Sequence, residues 1–182
     1  MMRPATGAFA QAYSAKPMRI TVPFPAGGGA DLCARMIGQK LGEAWAQNVV
    51  VDNRAGASGI IGTELVSKAA PDGDTLLLGT TGTHATNPVV FRKLPYDPLR
   101  DFAPVTNFVD TPFMLVVHPS IAVMSLRELI GFAKARPGQL TYASFGNGSS
   151  AHLAGELFRS MARIDLLHVP YKGGPPAVSD LV

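Results

Sequence analysis

The chain has one cysteine in 182 residues, Cys33, which excludes an internal disulfide and any cysteine-based metal cluster. Its place among the apolar residues of the first predicted helix suits a small core residue better than a nucleophile. No stretch approaches the roughly 20 consecutive apolar residues of a membrane span, so the chain is not itself membrane-spanning. Charge is sparse: 16 Lys and Arg against 13 Asp and Glu leave +3. The basic residues stand singly or in pairs (Arg92 and Lys93, Lys134 and Arg136), never in a run interleaved with aromatics, which argues against nucleic acid. Nucleotide signatures are missing too. A dinucleotide fingerprint counted from Gly27 and Gly29 would need glycine where Leu32 stands, and no lysine follows these glycines as a P-loop requires. His84 has no companion at metal-ligand spacing, there are no paired carboxylates, and no Ser/His/Asp order can be assigned. Gly56-Ala57-Ser58-Gly59 suggests a nucleophile elbow, but the Gly-x-Ser-x-Gly spacing is not met. No catalytic residue, metal ligand or cofactor is therefore assigned.

Glycine is abundant, with 19 residues, and the apolar fraction of 47% is ample for a packed core. The organising stretch is Arg19 to Ala34. Ile20 to Val22 form a short β-branched run that stops at Pro23 and Pro25, empties into Gly27, Gly28 and Gly29, and turns into Leu32, Met36, Ile37 and Leu41 at helical spacing. Strand, glycine turn and helix in this order leave unpaired amides at the helix start and allow close backbone approach, the elements of an anion cradle. A tight turn with Asp31 complementing the helix dipole is the plainer alternative.

The pattern repeats. Asn48 to Val51 reads as a second strand, Asp52 to Gly59 as a loop, and Ile60, Ile61, Leu65 and Val66 as a second helix. Pro71-Asp72-Gly73 is a turn, Thr75 to Leu78 a third strand, and Gly79 to His84 a third polar loop. Strands alternating with helices predict a parallel sheet with right-handed crossovers, placing these loops on one edge, where open α/β sheets bind ligands. Ala103 to Val109 and Phe113 to Val117 read as extended segments broken at Asp110-Thr111-Pro112, which suggests a crossing into a second lobe. There Ser125 and Glu128 form a capping box ahead of Leu126, Leu129, Ile130 and Ala133 on a buried side, and Pro137-Gly138 ends the helix. Leu140 to Ala143 is a strand, and Ser144 to Ser150 a glycine- and hydroxyl-rich loop opening a helix through His152, Leu153, Leu157, Phe158 and Met161. Leu166 to Val169 is a final strand that empties into Pro170-Tyr171-Lys172-Gly173-Gly174. At the other end, Ala8-Phe9-Ala10 and Ala10-Gln11-Ala12 fit a signal-peptidase site without a preceding apolar region, so residues 1–12 are read as a signal-peptide remnant or flexible leader.

Taken in order, Lys16-Pro17-Met18-Arg19-Ile20, Val22-Pro23-Phe24-Pro25-Ala26-Gly27-Gly28, Val51-Asp52-Asn53-Arg54-Ala55-Gly56, Ala70-Pro71-Asp72-Gly73, Lys93-Leu94-Pro95-Tyr96-Asp97, Thr141-Tyr142-Ala143-Ser144 and His168-Val169-Pro170-Tyr171-Lys172-Gly173 resemble the periplasmic solute receptors of tripartite tricarboxylate transporters, the Bug or TctC family. The resemblance covers nearly everything after Tyr13. It implies an α/β fold of the type II periplasmic-binding-protein kind: two lobes, each a mainly parallel sheet flanked by helices, over residues 13–110 and 111–182. It further implies a periplasmic receptor that closes over a small carboxylate and delivers it to the membrane permease subunits of a transporter, with no catalysis and no cofactor. Family members continue past Val182, so the second lobe is expected to be incomplete, with unpaired sheet edges, uncovered apolar faces and a tendency to aggregate.

The ligand-binding residues expected from strand carboxyl ends are Phe24, Ala26, Gly27, Gly28, Thr80, Thr81, Thr83, His84, Asn147, Ser149, Ser150 and Tyr171. For each hydroxyl residue helix capping is the competing role. A side chain at Gly28 is expected to block the backbone cradle and abolish binding. The alternative function is an enzyme on a doubly wound α/β fold, its glycine loops holding a phosphate or carboxylate with His84 or His152 as acid or base. Fold alone does not separate the two.

Overall fold

The computed structural model describes residues 16–182; the leader expected over residues 1–12 lies outside the described residues. Among the described residues five strands form two parallel sheets, and six α-helices accompany them. The first has the order β2-β1-β3, with β1 (Met18–Val22) between β2 (Val49–Asn53) and β3 (Thr75–Leu77). Ile20 is the register partner of both Val51 and Leu76. The second sheet pairs β4 (Leu140–Ser144) with β5 (Leu166–Pro170), Tyr142 beside His168.

Each sheet has its own apolar cluster. Helices α1 (Gly29–Trp45) and α2 (Ile60–Ser67) both pack on β1. Ile20, Val22, Ala34 and Leu78 are buried together, with Cys33, Ile37 and Leu41 packed against them, so the lone cysteine is a partly buried core neighbour. The central strand is covered from both sides, which explains why its residues do not alternate cleanly: Thr21 and Val22 are both fully buried. In the second sheet Ala133, Ile164 and Leu166 form the cluster, bordered by Ile130, Leu140, Tyr142 and Phe158.

Local signals set most boundaries. Helix α4 (Leu126–Ala135) starts at Ser125, whose Oγ accepts from Glu128 N at 3.2 Å. The Glu128 carboxylate reaches back one residue further than a standard box, accepting from Met124 N at 2.7 Å. Leu129 and Ala133 of α4 are buried, but Leu126, on the first turn, is exposed. Helix α5 (Ser150–Ala162) is capped by Ser149 Oγ and ends on Arg163 in the left-handed region. The third polar loop is not a loop throughout. Its second half winds into a π-helical turn, Gly82–Thr86, that continues as the short α3 (Asn87–Val90). A last helix, α6 (Gly174–Leu181), follows β5.

The segments expected to extend over Ala103–Val109 and Phe113–Val117 belong to neither sheet among the described residues. A strand needs an edge to pair with, and among the described residues these segments pair with none. Their apolar side chains stand in solvent, Val105 at 81% and Met114 at 84% exposure.

Candidate functional site

Because every pairing is parallel, the strand carboxyl ends of each sheet point one way, and the loops after β1, β2, β4 and β5 converge. They enclose a cleft of about 330 Å³ walled by Pro23-Phe24-Pro25, Gly56 to Gly59, Phe145-Gly146-Asn147 and Pro170-Tyr171-Lys172, with Phe91 closing one side. Three of the expected residues, Phe24, Asn147 and Tyr171, line it.

The glycine turn after β1 is folded around an internal anion. Asp31 is 2% exposed, and its Oδ2 accepts from Gly27 N at 2.9 Å and from Arg35 Nε at 3.0 Å. The Arg35 bond above all, then the Gly27 amide, holds the Asp31 carboxyl below the usual carboxylate range against its burial. The Gly27 amide is thus engaged by the protein's own carboxylate. Gly28, at φ −83°, faces the other half of the chain: a methyl there would meet Pro175 Cδ at 3.5 Å and the Pro25 carbonyl at 3.6 Å, ordinary contacts. Ala26 is exposed beside this turn.

The loop after β3 stands one layer behind the cleft. Thr80 and Thr83 bond each other, Thr80 N to Thr83 Oγ1 at 3.0 Å and Thr83 N to Thr80 Oγ1 at 3.3 Å, and Thr83 is fully buried. Thr83 backs onto Gly59, where an added Cβ would lie 2.8 Å from its methyl. Thr81 is exposed. His84 takes a 2.9 Å bond to Thr83 Oγ1 and packs edge-on against Phe102 at 5.1 Å; burial pushes its imidazole below the ordinary value. Ser149, 5% exposed, is committed to capping α5, and Ser150 is the first residue of that helix.

The turn after β2 is the most distorted backbone of the cleft. Ala57 and Ser58 take φ of +46° and +55°, left-handed values unusual for residues with a Cβ, between Gly56 and Gly59, which have positive φ as well. Such strain costs about 1–3 kcal/mol a residue and persists only where the surroundings impose it. Here Ser58 Oγ donates to the Asn147 carbonyl across the cleft, linking loops 89 residues apart. The sequence signal for this turn was the Gly-Ala-Ser-Gly run, whose elbow spacing fails; only its position beside the other loops marks it as a wall. Among the residues lining the cleft Lys172 alone carries a charge. The Tyr171 hydroxyl turns away to donate to Asp180 of α6, which raises its pKa.

A serine–histidine pair lies beneath this site. Ser144 Oγ is 2.6 Å from His168 Nε2, and the His168 ring stacks between Tyr142 at 4.9 Å and His152 at 4.0 Å. Ser144 is 0% exposed and also bonds within its own loop to Gly146, so no substrate atom reaches it. Among the described residues no group of three or more His, Cys, Asp or Glu could hold a metal ion, and no helix is long and apolar enough to cross a membrane. The cleft offers hydroxyls, backbone dipoles, aromatic walls and one cation, a set suited to holding a small anion reversibly.

The sequence matches the model of the tripartite tricarboxylate transporter family receptor over residues 33–182. It is 45% identical over 171 residues to a Pseudomonas sp. (strain P51) protein described as the UPF0065 protein in the tcbD-tcbE intergenic region, covering 94% of this chain and 51% of the relative. It is 42% identical over 174 residues to protein BugT of Bordetella pertussis, covering 95% and 53%. The chain thus spans about half the length of the curated relatives it matches. Three solved structures superpose closely. A periplasmic transporter has a TM-score of 0.91 at 41% identity, covering 93% of this chain and 57% of that one. R. palustris Rpa4515 with adipate has 0.88 at 42%, covering 91% and 55%. MatC (Rpa3494) from Rhodopseudomonas palustris with bound malate has 0.83 at 32%, covering 91% and 56%.

Proposed function

Since this chain belongs to the tripartite tricarboxylate transporter receptor family, a family of periplasmic binding proteins rather than enzymes, we propose that it is the part of a solute receptor that holds a small dicarboxylate in the cleft between its two sheets, for delivery to the permease subunits of a membrane transporter. The observation that carries this reading is the convergence of four strand-end loops on one cleft of about 330 Å³ in which a hydroxyl, a turn of left-handed backbone and Lys172 face aromatic and proline walls. The relatives Rpa4515 and MatC, bound to adipate and malate, supply the ligand class.

In this reading the two sheets are the cores of two lobes, residues 13–110 and 111–182, joined through the irregular crossing at Asp110-Thr111-Pro112. Phe24, Asn147, Tyr171, Ser58 and Lys172 touch the ligand. Ala26, Gly27 and Gly28 shape the rim, and Thr80, Thr81, Thr83, His84, Ser149 and Ser150 support the walls from behind or flank them. Dipoles and hydroxyls release a carboxylate more readily than a buried ion pair, whose desolvation is costly, and a receptor must release what it binds.

The test is a calorimetric titration of the chain with adipate, malate, acetate and inorganic phosphate. Saturable binding of one of the dicarboxylates, with phosphate and acetate weaker, is expected. Preference for phosphate, or heat from none of the four, would overturn the reading.

A further inference from the structure

Asn87 is not on the surface of the cleft, yet two cleft-lining residues depend on it. It is 0% exposed. Its side-chain Nδ2 donates to the Ser58 carbonyl at 3.1 Å and to Tyr96 Oη at 3.4 Å, while its backbone carbonyl accepts from Phe91 N at 2.9 Å. Ser58 and Phe91 both line the cleft. Behind Asn87, Tyr96 is 5% exposed, its hydroxyl donates to the Thr83 carbonyl at 2.7 Å, and Phe102 packs edge-on against its ring at 6.0 Å. A continuous line of hydrogen bonds therefore runs from Thr83 through Tyr96, Asn87 and Ser58 to Asn147 on the opposite wall.

The orientation of the Asn87 amide is dictated by its neighbours. The Ser58 carbonyl can only accept, and the Tyr96 hydroxyl, its proton directed at Thr83, accepts as well. Both require a donor, so Nδ2 must face them; turning the amide over would set oxygen against oxygen. Among the described residues Oδ1 has no hydrogen-bond partner, so the bonds of the side chain lie at its Nδ2 end. What that end secures is the peptide following Ser58, whose left-handed φ of +55° local sterics disfavour.

We propose that Asn87 is a positioning residue of the cleft: its amide grips the Ser58 carbonyl and so holds the Ala57–Ser58 turn in the left-handed conformation that aims the Ser58 hydroxyl at the far wall. This rests on the cleft being the ligand site proposed above. Asn87 makes no contact with ligand; it acts through Ser58 and, by its backbone, through Phe91.

Two substitutions of similar size separate positioning from general stabilisation. Asn87→Leu removes the donor, and adipate affinity falls by about tenfold or more, because the turn relaxes. Asn87→Asp is nearly isosteric but presents oxygen to two acceptors, so it binds at least as poorly at pH 8. On acidification its buried carboxyl, whose pKa desolvation raises, takes a proton and regains an O–H donor for the Ser58 carbonyl. The affinity ratio of Asn87→Asp to the parent, measured at each pH, therefore climbs back towards unity between pH 8 and 5.5, whereas that of Asn87→Leu stays flat. Leu129→Ala, a truncation of a buried side chain of α4 outside the cleft, provides a destabilised control whose affinity is unchanged. Parental affinity in both Asn87 variants, an Asn87→Asp deficit that does not shrink on acidification, or an equal loss of affinity in Leu129→Ala at equal loss of stability, would overturn the proposal. Should the parent bind neither adipate nor malate, the dicarboxylate reading fails by itself. The positioning role is then decided in the ligand-free chain by the backbone HN–Hα couplings of Ala57 and Ser58, which leave their left-handed values in Asn87→Leu; unchanged couplings would refute it.

Discussion

Gly173 stands close against Pro25 across the cleft, and an alanine there makes the sharpest test of the cleft. Its φ of +131° and ψ of −175° lie in a region essentially reserved for glycine, so any side chain costs about 1–3 kcal/mol in backbone strain. A methyl would also stand 2.7 Å from Cδ and 2.8 Å from Cγ of Pro25. That is roughly 0.7 Å short of the 3.4 Å at which ordinary contact begins. A proline ring cannot swing aside, so the loops after β1 and β5 must part, at a further cost of about 1–3 kcal/mol. We expect Gly173→Ala to lose about 2–6 kcal/mol in urea unfolding and to bind adipate about tenfold more weakly or worse as the cleft walls separate. Gly28→Ala is the matched control: with φ at −83° and nearest contacts at 3.5 and 3.6 Å it should stay within about 1 kcal/mol of the parent. Equal stability and equal adipate affinity in the Gly173 variant and the parent would show that the loops do not meet as described.

Three further expectations follow from the same geometry. With Lys172 the one charge among the lining residues, adipate affinity should change only weakly between low and high salt, since fixed dipoles neutralise most of the ligand charge; a steep loss that vanishes in Lys172→Gln would place the binding energy on that cation instead. Asp31 has a folded-state pKa below its unfolded value, so its contribution is complete above about pH 4 and is lost as the pH falls through the lower folded value; Asp31→Asn should cost about 1–3 kcal/mol at pH 7 and flatten the acid limb of the urea midpoint against pH. Met114, 84% exposed in an unpaired apolar stretch with Phe113 and Leu115, is a site for self-association; Met114→Lys should lower light scattering at high protein concentration while leaving the unfolding free energy within about 0.5 kcal/mol.

The five strands, their parallel pairing and the helix start at Ser125 were legible in the sequence because they depend largely on interactions a few residues long. A β-branched run, a glycine turn, an apolar period and a capping hydroxyl each sit beside the residues they act on. The shared edge of the strand-end loops within each sheet was legible as well, since parallel strands place their carboxyl ends together whatever the side chains; that the loop after β3 stands behind the cleft was not. What only the tertiary structure decided is which groups in those loops face the cleft. Gly27 looked like a free amide until Asp31 folded under it. Thr83 and Ser149 carry the same hydroxyl chemistry as Ser58, yet two are turned inward and one reaches across to Asn147, a partner 89 residues away that no local pattern announces. His84, with the chemistry of a site residue, is drawn back against Phe102. The segment from Ala103 to Val117 has the composition of strands but no edge to pair with among the described residues. Local free-energy differences of about 1 kcal/mol suffice to choose helix, strand or cap, whereas the orientation of a side chain at a site is chosen by partners distant in sequence, and those exist only once the chain has folded.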